Sequence, residues 1–198
     1  MRRSLLIVIL GGFLLGALVA LALIVNGPAG PRVQTSGTAL IGGPFTLTDQ
    51  TGKTVTDRDF AGRYKLVFFG FTHCPDICPA ELQVMQAALD ALGDKADKVV
   101  PIFISLDPER DTPQVIGDYV KNFGPRFVGL TGSPESVAAA AKAYRVVYAK
   151  VDDKASANGY SVDHSALVYL MSPEGEYLTH FAYGTSAATM AETIRRYL

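Results

Sequence analysis

The sequence predicts an α/β domain in which a mixed central sheet carries helices on both faces. Three observations point to it. Two runs rich in β-branched and aromatic residues, YKLVFFGF (residues 64–71) and VVPIFIS (99–105), have the composition of buried central strands. Between them, AELQVMQAALDAL spaces its apolar residues at helical intervals, which makes a strand–helix–strand unit. Beyond residue 105, helical and strand-like stretches continue to alternate to the C-terminus, as in a layered α/β fold.

The chain begins with a different kind of segment. Leu5 to Val25 is an unbroken run of apolar residues and glycine, long enough at 1.5 Å per residue to cross about 30 Å of hydrocarbon. Residues 1–25 therefore read as a single transmembrane helix that anchors the protein. A cleaved secretory signal is the competing reading, because Ala20 and Ala22 offer a small-x-small site. Arg2 and Arg3 precede the run and only Arg32 follows closely, so the N-terminus stays in the cytoplasm. Either way the main domain is exported, and a bacterial inner-membrane protein facing the periplasm is expected. Residues 26–43 turn to Gly, Pro, Ser and Thr with no apolar period, the composition of a flexible linker. Residues 44–198 form one domain, a length that supports a single core.

Within that domain, FTLTDQTGKTVT (45–56) turns around Gln50 to Gly52 and suits an N-terminal hairpin. Helices are expected over 112–123 and 133–144, the second with a plain serine cap, since Ser136 and not Glu or Gln stands three residues after Ser133. Residues 146–151 read as a strand, 166–171 and 177–183 as a hairpin about SPEG, and 186–197 as a closing helix. Lys and Arg number 18 against 19 Asp and Glu, a net charge of −1 that implies no basic face for nucleic acid. Nothing resembles a phosphate-cradling glycine loop.

The two cysteines of the chain, Cys74 and Cys78, lie in GFTHCPDICPAEL, directly after the first long strand. Four residues is about one helical turn, which sets the Cβ atoms roughly 5 to 6 Å apart. Such a pair can close a disulfide or clamp a soft metal ion as thiolates. Pro79 suits the first helical position, placing both thiols at a helix N-terminus, where thiolate is favoured over thiol. In an oxidising compartment, a working dithiol needs a reductant or a metal to keep it from closing.

A two-cysteine turn after the first long central strand of such a sheet resembles the thioredoxin fold. The redox enzymes of that fold carry Cys-x-x-Cys, whereas this chain has Cys-x-x-x-Cys with a proline after each cysteine. A peroxiredoxin fits less well, because Thr72 stands two and not three residues ahead of Cys74. A third ligand is therefore sought among His73, His164 and His180. By analogy with a thioredoxin-like layout, His164 at the start of a late strand faces the cysteine turn. His73 would point to the other side of an extended turn, and His180 lies within a hairpin with no partner motif.

With these pieces in order, the chain resembles the Sco/SenC family of membrane-anchored copper proteins: FTHCPDICPAEL, SLDPERDTP (105–113) and YSVDHSALVYLMSPEG match that family's signatures. The resemblance implies that Cys74, Cys78 and His164 bind one copper ion, as Cu(I) or Cu(II). It also implies delivery to the dinuclear copper centre of cytochrome c oxidase subunit II, after loading by an upstream copper donor. Ligand chemistry agrees, since thiolates suit Cu(I) and imidazole serves either state. Asp163 is a candidate fourth ligand or an exposed carboxylate that orients the histidine. Asp107 and Arg110 read as a local ion pair at a strand end, or else as part of a docking face. Two functions stay open: a metallochaperone that is not an enzyme, and a thiol-disulfide oxidoreductase that keeps the target's copper-binding cysteines reduced. A closed structural zinc site fits poorly, because it asks for four ligands.

Overall fold

The computed structural model describes residues 40–198, apart from 155, 157 and 158. The anchor read over 1–25 and most of the linker read over 26–43 lie outside the described residues. Among the described residues, no helix is long and apolar enough to cross a membrane.

Among the described residues, nine strands and four α-helices follow in the order β1 (Thr46–Asp49), β2 (Thr54–Thr56), β3 (Tyr64–Gly70), α1 (Ile77–Leu92), β4 (Val99–Ser105), α2 (Pro113–Val120), β5 (Val128–Thr131), α3 (Pro134–Ala143), β6 (Tyr148–Asp152), β7 (Tyr160–His164), β8 (Leu167–Met171), β9 (Tyr177–Ala182) and α4 (Ala187–Arg195). Seven strands form one sheet in the order β2-β1-β5-β4-β3-β8-β9, and β6 and β7 pair separately as a two-stranded ribbon. The sheet is mixed: β3, β4 and β5 run parallel, while β8 and β1 flank them antiparallel.

Alternation along β3 explains the layers. Phe68 and Gly70 face α1 and the Phe103 ring. Phe69 points the other way, onto Tyr144 at the end of α3 and onto Tyr169. Helices α1 and α4 pack together, α2 lies over β5, and α3 lies against β1. Every residue of β4 and all of β3 after Tyr64 is buried, which is why both read as continuous apolar runs and not as alternating ones. Each fully buried Phe or Leu there contributes about 1.5–3 kcal/mol. Pro101 is tolerated because the ladder to β5 begins only at Ile102.

The helix starts follow their caps. Thr112 and Ser133 accept a backbone N–H from the third residue on, each followed by proline, and Ser186 caps α4 in the same way. Two strands escape the sequence reading. β5 is only four residues, and β7 lies in what reads as a polar stretch, because only Val162 of its five residues is buried. Residues 41–43 meet the domain, with the Gly42 N–H donating to the Ala143 carbonyl at 3.0 Å.

Candidate metal centre

The cysteine turn grows out of the carboxyl end of β3, and the connection from β4 to α2 lies beside it, where Leu106 N–H donates 2.7 Å to the Gly70 carbonyl. Clefts at the carboxyl ends of parallel strands are the usual ligand sites of open α/β sheets. Asp111, fully buried, ties the two connections together. Its carboxylate accepts the backbone N–H of Thr72 at 2.9 Å, the Thr72 hydroxyl at 2.5 Å and the Ser105 hydroxyl at 2.6 Å. The start of the cysteine turn is thereby pinned to the end of β4.

Helix α1 begins at Ile77, two residues earlier than Pro79 suggests. Proline is tolerated at its third position because the first-turn N–H groups have no intrahelical acceptor to lose. Cys78 is thus the second helical residue and fully buried, whereas Cys74 precedes the helix and is half-buried. A side chain on Gly70 would stand 2.8 Å from Cys78 Sγ, so the strand can approach the sulfur only as glycine.

The two thiols, both free, are unequal. Cys74 is lowered to about 5, chiefly because the Cys78 thiol hydrogen-bonds to it, with burial opposing and the backbone N–H groups of Cys78 and Asp76 assisting. The Cys78 N–H lies 3.4 Å from the Cys74 sulfur, so a helix N-terminus does favour the thiolate, but on the residue outside the helix. Cys78 is driven strongly upward by the same hydrogen bond and by its burial, and it keeps its proton.

His164 ends β7, and its Nε2 lies 3.5 Å from Cys78 Sγ. Its Nδ1 is 3.2 Å from the Ser165 carbonyl. A carbonyl only accepts, so Nδ1 carries the proton, and in the neutral ring Nε2 presents its lone pair toward the Cys78 sulfur. The ring edge is framed by Phe68 and Phe71, with centroids 6.0 and 6.1 Å away.

Would these groups fit a metal? At a trigonal angle, bonds of about 2.3 Å to sulfur and about 2.0 Å to nitrogen set the two ligand atoms about 3.7 Å apart. The observed 3.5 Å is close to that separation. The contacts run in a chain from Cys74 to Cys78 to His164, and among the described residues no three such side chains already stand as a metal cage. Two soft sulfurs and one imidazole nonetheless suit a soft ion, and a cleft of about 330 Å³ opens over Cys74 and His164, with Pro75, Asp76 and Ile77 on its rim.

The remaining candidates go elsewhere. His73 turns its Nδ1 to the Thr72 hydroxyl at 3.1 Å and stands 3.7 Å from Asp111, whereas His180 is exposed on β9 and stacks on Tyr177. Asp163 is exposed and, by strand alternation, lies on the opposite face of β7 from His164 while still reaching the cleft mouth. Asp107 and Arg110 do form an ion pair, but a buried one.

The SCO1/SenC family model matches residues 33–198. The chain belongs to that family. Among its SCO1/SenC relatives, the mitochondrial SCO1 homolog of Homo sapiens is 46% identical over 172 residues, covering 84% of this chain and 57% of that protein. This chain spans about half the length of the curated relatives it matches. The crystal structure of Arabidopsis thaliana ScoI with copper bound is 44% identical, with a TM-score of 0.75 over 79% of this chain and 96% of that one. BsSco, described as having a disulfide switch and as a member of the Sco family of cytochrome c oxidase assembly proteins, is 25% identical with a TM-score of 0.63, over 82% of this chain and 96% of that one.

Several groups around this Sco-type centre give no separate signal in the sequence. Asp111 stands in the same SLDPERDTP stretch as Asp107 and Arg110, yet only the structure shows its carboxylate holding Thr72. Tyr160 reads as part of a polar connection but donates from its hydroxyl to Asp107 at 2.9 Å. Glu81, one turn beyond Cys78 on α1, is 1% exposed, and burial pushes its carboxyl up to about 7. One of its oxygens has no partner.

Proposed function

We propose that this protein is a membrane-anchored copper metallochaperone: copper is its cargo, held by Cys74, Cys78 and His164 and passed to the dinuclear copper centre of cytochrome c oxidase subunit II. The approach of His164 Nε2 to Cys78 Sγ, 3.5 Å with the lone pair turned inward, carries this reading. The copper-bound structure of the Arabidopsis relative supports it.

Loading begins at Cys74, already a thiolate at neutral pH, and costs Cys78 its proton, so uptake releases acid. Three ligands leave the coordination sphere open on the cleft side. An incoming thiol of the target joins there and takes the ion by stepwise exchange, with no activation of substrate. Residues 1–25 anchor the protein in a bacterial inner membrane, 26–43 hold the domain off the bilayer in the periplasm, and an upstream donor supplies the ion.

The test is His164→Ala in the full chain. We expect loss of stable Cu(II) binding, read as disappearance of the thiolate-to-copper absorption, with the dithiol still able to cycle. Unchanged absorption removes His164 from the ligand set.

A second reading is favoured by the unequal thiols and by the disulfide switch described for BsSco. Here the Cys74 thiolate attacks a disulfide of the target, and one target sulfur leaves with a proton. Cys78 then gives up its own proton and resolves the mixed disulfide, so the target gains two thiols and this chain is left with a Cys74–Cys78 disulfide. A thiol reductant must restore it. This route needs no imidazole, so His164→Ala separates the two readings.

A further inference from the structure

The ribbon that carries His164 lies outside the main sheet, and an isolated pair of short strands is marginally stable at best. Something must hold it at the sulfurs. Strand alternation puts Tyr160, Val162 and His164 on one face of β7, and Val162 is buried in the core. Tyr160, at the far end of that face, meets the connection between β4 and α2. The Arg110 guanidinium carbon lies 3.9 Å from the centroid of the Tyr160 ring, and its Nη1 donates to the Tyr160 carbonyl at 3.2 Å. The Tyr160 hydroxyl reaches the buried Asp107, which also pairs with Arg110. On the outside, Lys150 of β6 pairs with Glu109 at 2.7 Å and lies 4.7 Å from the same ring. The Asp111 contacts of the same connection hold the cysteine turn. One seven-residue loop, 106–112, therefore mounts both halves of the metal centre.

We propose that Arg110 and Tyr160 are positioning residues for the metal site: the guanidinium, over the ring and bonded to the Tyr160 carbonyl, fixes the ribbon so that His164 stays within bonding reach of Cys78. The proposal rests on His164 being a metal ligand. Arginine is required, because a planar cation can stack on the ring and bond Asp107 and a carbonyl at once, which an ammonium cannot. The exposed Lys150–Glu109 pair adds little, as exposed pairs do.

The experiment uses the full chain in detergent, with two readouts: Cu(II) affinity from the thiolate-to-copper absorption, and amide hydrogen exchange of residues 161–164 in the copper-free protein. Tyr160→Leu is the first variant, because it leaves the buried Asp107–Arg110 pair intact. We expect affinity to fall about tenfold, the lower end for losing a group that orients a metal ligand, and ribbon exchange to quicken while α1 stays protected. Tyr160→Phe, which keeps the ring, restores most of the affinity. Arg110→Lys, which keeps a cation beside Asp107, repeats the loss from the other side of the contact and serves if Tyr160→Leu does not fold. The deciding comparison adds Tyr160→Leu to His164→Ala and reads Cu(I) affinity by chelator competition in both backgrounds, because the two sulfurs still hold Cu(I) once the Cu(II) absorption is gone: a residue that acts only through the imidazole costs nothing further there. An equal further loss in that background, or an affinity within twofold of the parent for both Tyr160→Leu and Arg110→Lys, overturns the proposal. If His164→Ala alone keeps its Cu(II) absorption, the ligand set has failed. The mounting role then stands on faster ribbon exchange in Tyr160→Leu and falls if exchange is unchanged.

Discussion

The thiol of Cys78 donates to the sulfur of Cys74, and the backbone N of Cys78 lies 3.4 Å from the same sulfur, so Cys74 is stabilised as a thiolate while the buried Cys78 keeps its proton. The reductase reading assigns attack to Cys74 and resolution to Cys78, one helical turn apart. The order of events at the site follows from that division.

Alkylation should expose the inequality. Cys74 is lowered to about 5, so its reaction with iodoacetamide is expected to rise between about pH 4 and 6 and then level off through pH 8. Cys78, fully buried and raised, should stay unmodified in the native protein. Peptide mass spectrometry after timed quenching measures both. A Cys74 rate that climbs only above pH 8 would contradict the assignment.

Replacing either sulfur should end function. Cys74→Ser and Cys78→Ser are each expected to lose tight Cu(I) binding and to leave cytochrome c oxidase subunit II without its copper pair. Copper content and oxidase activity of membranes from cells carrying each variant provide the check. Normal assembly with either one would rule out both the chaperone and the reductase reading.

Asp111→Ala removes the acceptor of three hydrogen bonds in one buried place. Bonds to a charged group are worth about 1.5–3 kcal/mol each and are not additive, so a loss of about 3–5 kcal/mol is expected. Denaturant unfolding of the copper-free protein reads it. Asp111→Asn keeps one acceptor oxygen and should lose less, and a loss below about 1 kcal/mol for Asp111→Ala would show the pinning of the cysteine turn to be unimportant.

Glu81 should set part of the pH dependence of stability. Its carboxyl is raised from the usual 4.5 to about 7 by burial, so between those values the folded state binds more protons than the unfolded one. Stability from this group is therefore fully present below about pH 4.5 and declines as pH rises through 7. Glu81→Gln keeps the shape without the charge and should flatten the profile, with a higher Tm than the parent at pH 8. Parallel Tm profiles for the two proteins from pH 5 to 8 would refute this.

Gly70→Ala tests the close approach of strand to sulfur. The added methyl would stand 2.8 Å from Cys78 Sγ and 3.0 Å from the Phe103 ring. Overpacking of this kind costs about 1–3 kcal/mol. The thiolate-to-copper absorption should also shift as the sulfur moves, and an unaltered spectrum would show that Cys78 has room to spare.

The strands of the core were legible because burial on both faces leaves a continuous apolar run, as in YKLVFFG and VVPIFIS. The caps were legible because Thr112, Ser133 and Ser186 act over three residues. β7 was not, since only Val162 of its five residues is buried and its partner strand is short and exposed. Of the site, the cysteine pair is local and shows in its own spacing, whereas His164, 86 residues away, is reached from the sequence only through analogy with a thioredoxin-like layout and the family resemblance, and the structure does bring it to Cys78. The mounting contacts are harder still to read, because Asp111 to Thr72 and Arg110 to Tyr160 are side-chain contacts across 39 and 50 residues with no periodicity to betray them.

The sulfurs and the nitrogen belong to mechanically different parts. Among the described residues, the β6–β7 pair shares no ladder bond with the seven-stranded sheet, whereas Cys78 is embedded in that sheet's main helix layer. A cargo gripped by one rigid body would force the body to deform before letting go. On the proposed copper reading, an arriving acceptor would have the Arg110–Tyr160 mount to displace before the hairpin swings outward, and the ion would pass from three ligands to two without a rung of the seven-stranded sheet being broken.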